Sequence, residues 1–336
     1  MNSQSVPTAR AAIPILPRVS VCRDLVSTRD LGPNGVRAVL HLARVMKSRP
    51  GDFSKALAGK QTVMFFEKPS LRTRLTFECG IAGLGGQSSF VDQTQTRLDA
   101  RESLSDVAHN LERWFDAIIL RTFAQATVEV MAEHASIPVI NALSDLEHPC
   151  QALADYFTLE EHFRGIEGIV LAYVGDGNNV AHSLLLTAAC LGASIRLAHP
   201  SGYGPDPEIL ADARAIARHT RSNIELFTDP VMAVTGADAV YTDAWASMGQ
   251  EQETVKRERV FVPYRVNREL MEQAAPHAVF LHCLPAHRGR EVTDEVMDSD
   301  RSLVFEQAEN RLHVQKAVLH LLMASGVRLP ARSAHV

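Results

Sequence analysis

The chain lacks the cysteine pattern of a disulfide scaffold or a structural zinc site. Its five cysteines, Cys22, Cys79, Cys150, Cys190 and Cys283, are scattered, odd in number and contain no CxxC pair, which argues against both. A reducing cytoplasm is the expected compartment. The chain also lacks an apolar run long enough to cross a bilayer. With a net charge of -5 over 336 residues it has no basic excess, so no general polyanion-binding or nucleic-acid surface is implied and any anion site must be local. Acidic residues are missing from positions 1–23, which carry Arg10, Arg18 and Arg23. A transit peptide has that composition, but Pro7, Pro14 and Pro17 interrupt any arginine-rich helix there. The expectation is a flexible extension over 1–21, with an organelle address as the alternative.

What is present is a long alternation of apolar strand-like runs and helical patterns, in a chain that is 46% hydrophobic. It predicts an α/β protein of two domains, each a parallel sheet flanked by helices. Strands are expected at 60–66, 88–92, 116–122 and 137–143, with helices over 71–84, around 101–115 and over 148–163. A second series starts with "GIVLAYVGDG" at 168–177, continues with the helix "NNVAHSLLLTAACLG" and the strand "ASIRLAHP", and adds strands at 237–244 and 278–285. The last helix is expected over about 308–325. The domains are placed at 22–155 and 156–305, with 306–325 as a helix returning to the first domain and 326–336 as a tail.

The densest chemistry is in "FFEKPSLRTRLTFE", residues 65–78. A strand that feeds a helix presents free N–H groups and the positive end of the helix dipole at the sheet edge. Ser70 is suited to cap that helix, and Arg72 to grip phosphate oxygens in pairs. Arg74 has a plainer option, since Glu78 stands at i,i+4. "GDGNN" at 175–179 also follows a strand and opens a helix, but it lacks the GxGxxG spacing, so a dinucleotide site is not indicated.

Five segments occur in order: "SLRTR", "HPCQ" at 148–151, "DAWASMG" at 243–249, "HCLP" at 282–285 and "AENR" at 308–311. In this combination the chain resembles the carbamoyltransferase family, in its ornithine-using branch, from about residue 22 to 325. The resemblance implies transfer of the carbamoyl group of carbamoyl phosphate to the δ-amine of L-ornithine, with no metal or organic cofactor, in a homotrimer or a multiple of trimers. It implies that Ser70, Arg72, Thr73 and the backbone N–H of Leu71 hold the phosphate; position 71 is Thr in the family pattern, so one hydroxyl contact is missing. Arg121 would bridge phosphate and carbonyl oxygen, His148 would donate to that oxygen, and Gln151 with the backbone carbonyls of Cys283 and Leu284 would hold the carbamoyl NH2. Arg311 would complete the carbamoyl phosphate site. Asn179 and the N–H of Met248 would receive the ornithine carboxylate, Asp243 and Ser247 its α-amino group, and Cys283 with Asp243 would face the δ-amine. Arg97 stands where the family usually has Gln and Asp99 where it often has Gly; by analogy with the aspartate enzymes, Arg97 would enter a neighbouring subunit's site.

Each role has a plain alternative. His148 can be a helix-start cap, Asn178 and Asn179 ordinary caps, Cys283 a buried strand-end thiol, Arg311 and Arg97 surface arginines, and Met248 core filling. Trp245 is expected to pack, and 245–262 to form a lid. A non-catalytic paralogue would have lost Arg121, His148, Gln151 or Arg311, and all four are present. Acceptors other than ornithine are disfavoured: aspartate and putrescine enzymes lack the "SMG" element, and Asp243 with Ser247 suits a free α-amino group.

Overall fold

The computed structural model describes residues 22–92, 98, 102–246 and 253–324. The first sheet holds β1 (Gln61–Phe66), β2 (Gln87–Asp92), β3 (Ala117–Arg121) and β4 (Val139–Leu143) in the spatial order β2-β1-β3-β4, all pairs parallel. Around it lie α1 (Thr28–Ser48), α2 (Leu71–Gly83), α3 (Leu104–Leu111), α4 (Gln125–His134) and α5 (Pro149–Phe163). The second sheet holds β5 (Val170–Val174), β6 (Ser194–Ala198), β7 (Ile224–Phe227), β8 (Ala239–Tyr241) and β9 (Val279–Leu281) in the order β7-β6-β5-β8-β9, again parallel. Its connections carry α6 (Asn179–Leu191), α7 (Pro207–Thr220), α8 (Pro230–Val234), α9 (Thr254–Phe261), α10 (Arg268–Met271) and α11 (Asp294–Met297). The helix α12 (Val304–Met323) then runs back against α1, α2 and α5. The α/β class, the two parallel sheets and the returning helix are as expected.

The inner strands of the first sheet read as apolar runs because helices cover both faces; β3 and β4 are buried along their whole length, whereas the edge strand β2 is polar and partly exposed. Capping residues fix where the helices start. Ser70 accepts from the N–H of Thr73 at the start of α2, Asn178 from Val180 and Ala181 at the start of α6, and Asp206 from Glu208 and Ile209 at the start of α7. The apolar interior is continuous across both sheets: Leu40, Tyr156, Leu184 and Leu197 belong to one packed cluster. α5 runs unbroken past the division expected at 155/156, to Phe163.

Some elements were not anticipated. α1 contains Gly32 at a φ of 57° followed by Pro33, a pair that reads as a break although the helix resumes beyond it. β7 is a four-residue, half-buried strand with little periodicity to detect, and α4 and α7 are likewise additions. α12 begins at Val304, a turn before the expected 308, and α3 covers only 104–111 of the expected 101–115.

Both sheets have a switch point, where successive connections leave in opposite directions and the strand ends open a crevice. In the first sheet it lies between β1 and β3, so the turn into α2 faces the end of β3. In the second it lies between β5 and β8, so the turn into α6 faces the residues after β8. No described helix is long and apolar enough to cross a membrane.

Candidate active site

The two crevices open into one cleft of about 620 Å³. From the first domain it is lined by Ser70, Leu71, Arg72, Thr73, Arg121, His148 and Gln151. Asn179, Asp243, Cys283 and Leu284 face them from the second, and Arg311 reaches in from α12. Arg97, Ser247 and Met248 lie outside the described residues, as do positions 1–21 and 325–336.

The first-domain wall carries guanidinium charge that no described carboxylate neutralises. Arg121 ends β3 and is buried; burial, then the neighbouring Arg311 and Arg72, pull its guanidinium down to about 10. Arg311 is only 3% exposed, so it is no surface arginine. It donates from Nη2 to Oγ1 of Thr73 at 2.6 Å. Neither Arg121, Arg311 nor Arg72 has a carboxylate partner among the described residues, and Nε of both Arg121 and Arg311 is buried without a hydrogen bond there. Three guanidinium groups that repel one another around the N-terminus of α2 favour a ligand carrying about two negative charges. Leu71 borders the same wall and is 72% exposed. Arg74 takes its plainer role, donating to Glu78 at 2.9 Å while its guanidinium lies 3.7 Å from the Phe90 ring centroid.

His148 occupies the N-cap position of α5, yet its side chain makes no capping bond. Its backbone N–H is fastened to Oγ of Ser183 on α6, which itself donates to the buried Glu147. The imidazole is left facing the cleft with Nδ1 unpartnered among the described residues. Burial, reinforced by Arg311 and Arg121, holds its pKa well below the ordinary histidine value, so the ring is neutral. Gln151 follows one turn later. Its amide nitrogen donates to Asp155 at 2.7 Å, and its buried Oε1 has no partner among the described residues.

The second-domain wall carries the complementary sign. Asp243 lies just past β8; its Oδ1 accepts from the Cys283 thiol at 3.1 Å and its Oδ2 from Asn178 at 2.9 Å, across the switch point. Burial, with Asp243 alongside, pushes the Cys283 thiol well above its usual pKa. It is therefore a hydrogen-bond donor, neither an inert core residue nor a ready nucleophile. Asp243, His282 and Cys283 bring one potential metal ligand each within 4.8 Å of one another. In this arrangement the thiol proton serves Asp243, and Nδ1 of His282 accepts from the N–H of Leu284. Leu284 sits at a φ of 58°, which turns the backbone after β9 toward the cleft.

Asn178 does cap α6, whereas Asn179 donates to the carbonyl of Ser144 in the first domain at 2.7 Å. Trp245 packs as expected, stacked on Phe261 of α9. α9 is latched by Arg257: its Nη1 meets Asp176 at 2.8 Å and the carbonyl of Trp245 at 3.0 Å. Burial works against that charge, but Asp176 holds the Arg257 pKa above its usual value.

Several site residues escaped the sequence reading. Lys68 borders the cleft with its ammonium 4.7 Å from the Phe123 ring centroid; it stands two residues before Ser70 and could have been read with it. Asn178, assigned only to capping, also holds Asp243. Arg257 and Asp176 are 81 residues apart and carry no local signal.

Comparison with known proteins agrees with this geometry. Residues 23–161 match the family model described as "Aspartate/ornithine carbamoyltransferase, carbamoyl-P binding domain", and residues 167–322 match "Aspartate/ornithine carbamoyltransferase, Asp/Orn binding domain". The chain is 48% identical over 303 residues to the ornithine carbamoyltransferase of Thermococcus kodakarensis, covering 90% of this chain and 96% of that one. It is 50% identical over 304 residues to that of Symbiobacterium thermophilum, covering 90% and 98%. The solved ornithine carbamoyltransferase of Pyrococcus furiosus superposes with a TM-score of 0.88 at 46% identity, covering 91% of this chain and 98% of that one. With both of its halves matched in order, the chain belongs to the aspartate/ornithine carbamoyltransferase family.

Proposed function

We propose that this protein transfers the carbamoyl group of carbamoyl phosphate to the δ-amine of L-ornithine, giving L-citrulline and phosphate. The observation that carries the reading is the cluster of Arg72, Arg121 and Arg311, unpaired among the described residues and set beside a neutral His148 and an unpartnered Gln151 carbonyl. A small ligand with a dianionic phosphate at one end and an amide at the other satisfies all of these groups together.

The attacking amine must be neutral, and a side-chain amine of this kind has a pKa near ~10. It loses its proton on or before binding, beside Asp243 and Cys283. The nitrogen then attacks the carbonyl carbon, and the C=O electron pair moves onto oxygen. Arg121, His148 and the Thr73 hydroxyl stabilise that oxyanion; a single such donor typically contributes ~3 kcal/mol. Arg311 already donates to the Thr73 oxygen, which leaves the Thr73 hydroxyl proton for the ligand. As the intermediate collapses the C–O bond to phosphate breaks, phosphate leaves with that electron pair, and it takes the proton shed by the new C–N nitrogen. No covalent enzyme intermediate is needed. Holding two small substrates in line within a closed cleft supplies up to ~7–11 kcal/mol of the barrier reduction.

Ornithine lies on the second-domain wall in this reading, its α-amino group at Asp243 and Ser247 and its carboxylate at Asn179 and the N–H of Met248. Residues 245–262 form the lid in this reading. The assembly is a trimer, with Arg97 reaching a neighbouring subunit's site; the exposed Leu71, Leu75 and Trp114 of the first domain are apolar surface available to such an interface.

The test is to incubate purified protein with carbamoyl phosphate and ornithine, acetylornithine, putrescine or aspartate. Citrulline from ornithine, with little product from the others, is expected; no citrulline overturns the reading. Sedimentation as a monomer would overturn the trimer.

A further inference from the structure

Behind the carbamoyl end of the cleft, out of reach of any substrate, lies a fully buried carboxyl that no step above uses. Asp155 stands on α5 one turn past Gln151 and two turns past His148, on the same face of the helix. A single oxygen of it, Oδ1, accepts from Nε2 of Gln151 at 2.7 Å and from Nε2 of Gln307, on α12, at 2.7 Å. The other amide atom of Gln307, Oε1, accepts the backbone N–H of His282 at 2.9 Å, at the end of β9. Each amide nitrogen is therefore committed to Asp155, that of Gln307 reaching the Tyr241 hydroxyl at 3.2 Å as well. Gln307 spends its oxygen on β9, and Gln151 is left with its oxygen buried, unpartnered among the described residues and at the wall of the cleft.

An amide is nearly symmetric in shape, and its two faces differ only in donor or acceptor character. Nothing in the packing of Gln151 can distinguish them; a neighbour that presents an acceptor can, and Oδ1 of Asp155 is held as one by two amide nitrogens. We propose that Asp155 is a positioning residue that sets the Gln151 amide with its oxygen toward the cleft, so that the site accepts from a ligand NH2 group and rejects a ligand that offers only acceptors. Asp155 thereby makes the carbamoyl subsite selective for a carbamoyl group. Gln307 completes the device by fixing the same oxygen of Asp155 from α12, linking the subsite to His282, which follows β9 and precedes Cys283. The proposal rests on the functional reading above.

The probes are phosphonoacetamide, a stable methylene analogue of carbamoyl phosphate, and methylphosphonate, which has the same anionic end and no amide. The readout is the ratio of their dissociation constants by calorimetry, in which general changes of charge or stability cancel. Asp155→Leu removes the acceptor at similar volume and is expected to reduce the preference for phosphonoacetamide about tenfold, the worth of one hydrogen bond. Asp155→Ala serves the same purpose should the leucine not fold. Asp155→Asn, which keeps an oxygen acceptor, is expected to restore the preference to within about threefold of wild type. Gln151→Ala should lose as much as Asp155→Leu, and the double variant no more than either alone. An unchanged ratio in Asp155→Leu, with both probes weakened together or neither, overturns the positioning role. So does full additivity in the double variant. A wild type that holds both probes equally and forms no citrulline overturns the functional reading, and the proposal with it.

Discussion

Arg311, on the last helix of the chain, donates from Nη2 to Oγ1 of Thr73, 2.6 Å away and 238 residues earlier. That contact exists only once the end of the chain has folded back onto α2. Arg311 is buried beside Arg121 and has no carboxylate partner among the described residues, so the two like charges repel one another. Arg311→Leu should lower kcat/KM about 10²–10³-fold. Its melting temperature without ligand should match or exceed wild type, because like-charge repulsion is relieved. The rise that carbamoyl phosphate produces in wild type by mass action should vanish. Thermal melts with and without ligand check both halves.

Arg72 and Arg74 are separated by one residue and by function. Arg72→Ala should abolish turnover by removing a phosphate contact. Arg74→Ala removes an exposed pair with Glu78 and a stacking contact with Phe90, and should cost about 1 kcal/mol of stability or less while leaving kcat within about threefold of wild type. Steady-state rates and denaturant midpoints separate the two; equal activity of Arg72→Ala and wild type would remove Arg72 from the site.

Asp155 should leave a signature in the pH dependence of stability. Burial raises its carboxyl from the ordinary 3.8 to about 7. Between those values the folded protein binds a proton that the unfolded chain has released. The contribution of Asp155 to stability is thus fully present below about pH 4 and is lost as pH rises through about 7. Asp155→Asn does not titrate. Its melting temperature relative to wild type should therefore climb between about pH 4 and about pH 7 and level off above, a few degrees being the scale for a shift of 1 kcal/mol in a protein of this size. A flat difference would contradict the raised carboxyl.

Arg257 holds α9 to Asp176. Arg257→Ala leaves Asp176 buried without its counter-charge, and breaking such a pair typically costs ~3–5 kcal/mol. Weaker latching of the lid should raise KM for ornithine more than KM for carbamoyl phosphate. Equal changes in both would assign Arg257 to general stability alone.

The alternation of apolar runs determined the α/β class, and local capping set the boundaries of the main helices to within a few residues. Ser70 shows how far local physics reaches: the strand, the capping serine and the helix expected there all form, and they border the cleft. The order of five short segments added the family and the side chains at the site. Elsewhere the signal was hidden. The Gly32-Pro33 pair masked α1, and β7 was too short and too exposed to carry a period.

What only the tertiary structure decided is how these residues act on one another. That Arg121, Arg72 and Arg311 converge with no described carboxylate between them depends on α12 crossing α2. That the Cys283 thiol is a donor to Asp243 depends on β8 and β9 lying side by side. His148 occupies the N-cap position of α5 and Asn179 opens α6, yet one presents an imidazole at the cleft with Nδ1 unpartnered among the described residues and the other binds the carbonyl of Ser144. Helical spacing places residues on a face, but partner choice, burial and protonation are set by neighbours distant in sequence, and those exist only once both sheets and the returning helix have packed.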